Sequence, residues 1–337
     1  MPHCLAEPYC PARKPGNYRK SRRLPAHCPL PTAHCPFSAL LESPLVDPQT
    51  LSPYLVQVLN GLAFSMLLFV LAAGLSVIFG MMDFINLAHG SFYMLGAYLG
   101  FTAIQRLGSF WVAVVAVPIL VAGLGFGLEM VLLRPLYKRG HLDQVLLTFG
   151  LAFVFADVVK WNWGADIRSV PQPPELTGAL SLGVTVYPRY RGFVIVAGLL
   201  LAGVLWAIQA RTRLGAIVRA GVADKEMVSG LGINVQLVFA AVFAFGAGLA
   251  ALSGVIAAPF LSLAPGMDFE QLILSLIVVV VGGLGTLKGA FWGAIVVGLA
   301  DTFGKIWAPD FSLLVIFAIM AVVLLLRPNG LFGRALA

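Results

Sequence analysis

Apolar runs of membrane-crossing length recur along this chain with short polar breaks between them, and that rhythm predicts its architecture. A helix needs roughly 20 apolar residues to cross about 30 Å of hydrocarbon. The first run extends from about Tyr54 to Phe79 and ends at Gly80-Met81-Met82-Asp83. A second, about Phe84 to Ile104, is dotted with small and polar residues: Asn86, His89, Gly90, Ser91, Gly96 and Gly100. A third covers Phe110 to Leu133 and gives way to a basic loop with Arg134, Lys138 and Arg139. A fourth, about Gln144 to Lys160, precedes a long polar loop in which Trp161, Trp163 and Tyr187 read as interface anchors. Gly192 to Ile208, Val235 to Ala258, Leu272 to Val281, Gly289 to Phe303 and Phe311 to Leu326 complete the series. The expected fold is an all-α, polytopic transmembrane helical bundle of eight or nine membrane segments, one domain over 54–337. The segments 84–104 and 272–303 either cross fully or re-enter.

Composition excludes a soluble protein. Of 337 residues, 59% are hydrophobic and 11% charged, too little polar surface to cover a soluble core. The net charge of +7 does not point to nucleic acid, because no compact basic domain carries it. Instead Lys and Arg gather in loops between the spans, as the positive-inside rule expects. With loops 134–143, 210–235 and 283–288 and the C-terminus on one side, that side holds ten basic residues. The opposite side holds six, Arg106, Lys160, Arg168, Arg189, Arg191 and Lys305. The richer side is expected to be cytoplasmic, which puts the C-terminus of this multi-pass membrane protein in the cytoplasm.

Residues 1–53 are a different kind of sequence. They are rich in proline, carry the basic residues Arg13, Lys14, Arg19, Lys20, Arg22 and Arg23, and lack an apolar stretch long enough for a signal-peptide core. Such a segment buries too little apolar surface to offset its ordering entropy and is expected to be disordered. All four cysteines lie here, three of them after a histidine: His3-Cys4, His27-Cys28 and His34-Cys35. Neither a zinc site nor a disulfide is expected, because the close Cys-x₂₋₄-Cys pairing of zinc modules is missing and prolines interrupt each pair. Nine crossings would also put this basic tail outside, against the positive-inside rule. An upstream extension from a misassigned start codon, or a miscounted crossing, resolves that conflict.

The longest polar segment inside the domain, Arg211 to Asn234 within the loop 210–235, has a helical pattern of its own. Ala223, Met227 and Leu231 recur four apart, Asp224, Lys225 and Glu226 head the first turn, and Gly230 and Gly232 stop it. A short amphipathic helix between two spans suits insertion into a groove on another protein.

Three stretches carry a resemblance. GMMDFINLAHGSFYMLGAYLG, the 211–234 loop, and VVGGLGTLKGAFWGAIVVGL with the terminal RPNGLFG are together similar to the branched-chain amino acid permease family of ABC importers, over about Gly61 to Gly333. The resemblance implies a conduit with four kinds of partner: a second related permease, two ATPase subunits, a periplasmic binding protein and membrane lipid. It implies that the loop, with Arg219, Asp224, Lys225, Glu226, Met227, Gly230 and Gly232, couples this chain to an ATPase. The implied substrates are branched-chain amino acids or related small amino acids and amides. No cofactor is expected on this chain, which is not expected to be an enzyme. GGLGTLKG lacks the spacing and the Lys-Ser/Thr end of a phosphate loop, so ATP and Mg belong to the partner ATPases.

Within the spans, Asn86, His89 and Ser91 are costly polar groups that either line a translocation path or serve packing. Gly285, Gly289 and Gly293 form a small-residue stripe behind Gly282 and Gly283, read either as packing or as a broken helix beside the path. Asp157 and Asp301 are expected to pair locally with Lys160 and Lys305. The competing function is a stand-alone secondary transporter or channel. The coupling-type loop and the lack of a two-halves repeat argue against it. A membrane enzyme would need a metal cluster or a nucleophile with its base, and the domain holds only His89 and His141.

Overall fold

The computed structural model describes residues 48–82, 84–181 and 186–333, most of them helical. The cysteine-bearing tail up to residue 47, Asp83 and Arg334 lie outside the described residues. The long helices are α1 (Pro48–Met82), α2 (His89–Leu107), α3 (Phe110–Leu128), α4 (His141–Trp163) and α5 (Arg189–Arg211). After the short α6 (Arg213–Ala223) and α7 (Lys225–Gly230) come α8 (Val235–Ala257), α9 (Met267–Gly282), α10 (Leu287–Trp307) and α11 (Ser312–Leu326). A small antiparallel pair, β1 (Ala179–Ser181) and β2 (Val186–Pro188), sits in the α4–α5 loop. The chain is therefore an all-α, polytopic membrane bundle.

Among the described residues, seven helices are long and apolar enough to cross a membrane by themselves: α1, α3, α4, α5, α8, α10 and the segment Pro309–Leu326 that contains α11. Helices α2 and α9 pack among them. Helix α1 is the hub. Its Leu67, Leu71 and Ile78 join α2 and α8 in one core with Phe92, Tyr98, Phe243 and Val255. Its Phe69, Val70 and Ala73 join α9 and α10 in a second core with Ile277, Val281, Ala290 and Ala294. The faces of α3, α4, α5 and α11 are largely uncovered, with exposed Ile119, Leu146, Leu200 and Leu325. Apolar side chains exposed in this way belong against hydrocarbon or another apolar protein surface.

Contacts sort the loops into two ends. At one end Gly80 meets Gly285, Gly221 meets the Met81 side chain, the Arg134 guanidinium donates to Gln236, and Gly283 meets Gly330 and Gly333. At the other, Arg191 donates to Asn60 and stacks over Phe260, Trp163 Nε1 donates to Thr102, and Arg168 pairs through its backbone with Leu263. Among the described residues, this division matches the two sides expected from charge.

Several boundaries differ from the sequence reading. Helix α1 begins at Pro48, before the expected Tyr54. Helix α2 begins at His89 rather than Phe84, because 84–88 leave the helical path. Helix α9 begins at Met267 rather than Leu272, its first turn carrying Asp268 and Glu270. At the end of α3 a π-turn (Glu129–Leu133) and a 3₁₀ turn (Arg134–Lys138) prolong the helix beyond its expected stop. Both expected local pairs form: Lys160–Asp157 at 3.5 Å on the surface and Lys305–Asp301 at 2.8 Å.

Candidate functional site

Helix α2 starts inside the bundle. His89 Nε2 lies 3.0 Å from the Leu71 carbonyl, which requires Nε2 to carry the proton and donate. Leu71 is eleven residues before Met82, the end of α1, and at 1.5 Å per residue it lies about 16 Å back along the helix. The chain thus leaves α1 near one end of the bundle and returns toward its middle before α2 begins. Irregular backbone at such depth needs partners from the protein. Here the Leu87 N–H donates to Thr148 Oγ1 at 3.2 Å, the Ala88 N–H to Asn86 Oδ1 at 3.1 Å, and the His89 N–H to the Asn86 carbonyl at 3.3 Å.

Helix α9 starts beside it. A β-carbon on Gly90 would come within 2.3 Å of the Asp268 carbonyl oxygen, so only glycine admits this approach. Ser91 Oγ donates to Asp268 Oδ2 at 3.1 Å, closing a contact between residues 177 apart in sequence. Phe269, the next residue, packs against Phe149 and Phe153 of α4. Asn86, His89, Ser91 and Asp268 are all buried. Three of their polar atoms have no partner: Asn86 Nδ2, His89 Nδ1 and Asp268 Oδ1. The predicted Asn86, His89 and Ser91 are all buried around the start of α2, and the Ser91 hydroxyl adds Asp268 to the polar groups there. That acid escaped the sequence reading because Asp268, Glu270 and Gln271 delayed the apolar run. Its signal was an acid two residues after Gly266, the usual composition of a helix's first turn.

The 211–234 loop forms two helices rather than one. Asp224 separates them and caps α7, its Oδ1 accepting from the Glu226 and Met227 N–H groups at 2.9 Å each. Val228 turns inward, whereas Met227 and Leu231 are 67% and 74% exposed, and Arg219, Glu226, Gly230 and Gly232 are exposed too. Lys225 is the first residue of α7. Gly232, at φ 79°, turns the chain toward α8, where Asn234 caps the next helix through the Leu237 N–H. The loop touches the bundle through α6. Gly221 lies against Met81, and Val222 faces Gly80.

The glycine segment builds the α9–α10 turn. Gly283 (φ 109°) and Gly285 (φ 74°) adopt backbone that L side chains resist. Gly282, Gly289 and Gly293 let α10 close on α9. The terminal RPNGLFG folds back onto this turn, the Leu331 and Phe332 N–H groups donating at 2.9 Å to the Val281 and Gly282 carbonyls. Those are carbonyls left free at the end of a helix. The two separate sequence signatures thus form one structural unit.

A family profile described as "Branched-chain amino acid transport system / permease component" matches residues 57–324. The chain is 30% identical over 295 residues to the high-affinity branched-chain amino acid transport system permease protein BraD of Pseudomonas aeruginosa, covering 83% of this chain and 96% of that one. It is 28% identical over 298 residues to the high-affinity permease protein LivH of Escherichia coli K12, at 83% and 96% coverage. A probable LivH of Methanocaldococcus jannaschii is 26% identical over 299 residues, at 81% and 91% coverage. No solved structure matches the chain. These relatives are transport permeases and not enzymes. With that match running from α1 to α11, the chain belongs to the family of permease components of branched-chain amino acid transport systems.

Proposed function

We propose that this chain is the membrane-spanning permease subunit of an ATP-binding-cassette importer, moving branched-chain amino acids or related small amino acids and amides across the inner membrane by alternating access. The observation that carries this reading is α7. It is a capped helix between two spans whose Met227 and Leu231 have no cover, beside exposed Glu226 and Arg219. An apolar ridge rimmed by charge fits a groove on a soluble partner. That partner would be an ATPase subunit, two of which hydrolyse ATP with Mg, while this chain binds no cofactor of its own. A second related permease covers part of the bare apolar faces, lipid covers the rest, and a periplasmic binding protein delivers the substrate.

The contacts offer a route for coupling. Motion of α7 passes to α6, whose Gly221 bears on Met81 at the end of α1. Helix α1 holds His89 through the Leu71 carbonyl, so a shift of α1 relative to α2 acts directly on the buried polar cluster. Asn86, His89 and Ser91 are assigned to the translocation path, and the ends bearing α6–α7 and the C-terminus to the cytoplasm.

The test is a mild-detergent purification of a C-terminally tagged copy from its native membrane, with mass spectrometry of the retained proteins. Two ATPases and a second permease are expected. A chain recovered alone that transports in vesicles without ATP would overturn the reading.

A further inference from the structure

Asp268 is 1% exposed, within a helix bundle, and its carboxylate is half used: Ser91 satisfies Oδ2, and Oδ1 has no partner. Among the described residues the ion pairs are Lys160–Asp157 and Lys305–Asp301, and neither includes Asp268. An acid buried in a membrane protein without a direct ion pair is costly to keep and marks a place where a cation or proton is handled. Negative charge is favoured at this point because Asp268 lies in the first turn of α9. At the start of α2, two residues before Ser91, His89 Nδ1 is a second free acceptor, since the opposite nitrogen donates to Leu71. Asn86 Nδ2 is a free donor. The open Asp268 oxygen, with a further acceptor and a donor unpartnered at the start of α2, offers the kinds of group that an ammonium next to a carboxylate needs.

We propose that Asp268, positioned by Ser91, receives the ammonium group of an α-amino acid as it passes the starts of α2 and α9. This rests on the importer reading above. The Ser91 hydroxyl holds one carboxylate oxygen and leaves the other directed to the substrate. The narrow approach of Gly90 to the Asp268 backbone fixes the distance between the two helix starts.

The experiment uses the complete importer, with both permeases, the ATPases and the binding protein, in proteoliposomes supplied with ATP and radiolabelled leucine. Asp268→Asn keeps the shape and removes the charge. It should lower leucine uptake about tenfold or more, the scale of one lost charged contact, while ATP hydrolysis stimulated by the loaded binding protein persists. The exchanged pair Ser91→Asp with Asp268→Ser restores the carboxylate from the facing helix and should recover uptake. If Asp268→Asn fails to assemble, the exchanged pair decides alone. Wild-type uptake by Asp268→Asn overturns the proposal. So does an exchanged pair that assembles and hydrolyses ATP yet leaves uptake low, because Asp268 then serves packing only. A wild-type importer that assembles but moves no amino acid removes the importer's substrate reading, and this proposal with it.

Discussion

Gly282 and Gly289 meet backbone to backbone across the α9–α10 turn, where a β-carbon on either would come within 2.1–2.2 Å of the other's carbonyl oxygen. That distance is far inside van der Waals contact, and the opposing atom is backbone that cannot rotate away. Gly289→Val should therefore cost at least the roughly 1–3 kcal/mol typical of overpacking. Gly123 on α3 is the control, since nothing lies within 4 Å of a β-carbon there. Gly123→Ala should be neutral or gain up to about 1 kcal/mol from helix propensity. Thermal unfolding of the purified protein in one detergent separates the two, with a lowered melting temperature expected only for Gly289→Val.

The terminal strap gives a second test. Gly330 has φ 77°, and a β-carbon on it would lie 2.6 Å from Gly283 N. Gly330→Ala should loosen the strap and free the Val281 and Gly282 carbonyls that Leu331 and Phe332 now satisfy. Each lost hydrogen bond contributes about 1 kcal/mol. Hydrogen exchange at the Leu331 and Phe332 amides should rise sharply, with little change at the amides of α3.

How much of this was legible beforehand follows from where the determining contacts lie. Helix α8 was read as Val235 to Ala258 and runs Val235–Ala257, because an uninterrupted apolar run after Asn234 encodes both its start and its length. Helices α5 and α11 were legible for the same reason. Asp268 falls outside the predicted spans, and its burial depends on Ser91, a partner 177 residues away that no local pattern reveals. The start of α2 was placed too early. Residues 84–88 are apolar enough to look helical, and the long-range donation from Leu87 to Thr148, together with the local bonds to Asn86, stabilises their irregular path. Likewise, the stripe of Gly285, Gly289 and Gly293 was visible as a pattern, but not what it packs against. Gly289 and Gly293 serve the α9–α10 contact, while Gly285 meets Gly80.

Asp301 and Lys305 form an asymmetric pair. The Asp301 side chain is 7% exposed and that of Lys305 is 52%, with its ammonium also 5.5 Å from the Phe64 ring centre. Lys305→Met leaves a buried carboxylate alone and should cost about 1–2 kcal/mol, less than the roughly 3–5 of a fully buried pair because the lysine is half in solvent. Asp301→Asn leaves an exposed cation and should cost less. Melting temperatures of the two single variants and the double variant test this ordering, and a Lys305→Met protein more stable than Asp301→Asn would contradict it.

Met227 and Leu231 hold no part of the bundle together, being two-thirds or more exposed, so their removal should leave the fold intact. The double variant Met227→Ser with Leu231→Ser should keep the melting temperature of the isolated chain, since exposed substitutions usually stay within about 0.5 kcal/mol. It should nevertheless lose the ATPase subunits during purification, because an uncovered apolar ridge contributes only when a partner buries it. Glu226→Arg examines the charged rim in the same way. Glu226 accepts no hydrogen bond among the described residues and supports α7 only as an acid in its first turn, an effect of about 0.3–1 kcal/mol. Reversing its charge should uncouple ATP hydrolysis from uptake while insertion and folding persist. Asp224→Ala is the contrasting case, since Asp224 caps α7 through two N–H groups and its loss should cost about 1 kcal/mol locally. Retained ATPases and normal uptake in both the double serine variant and Glu226→Arg would remove α7 as the docking element.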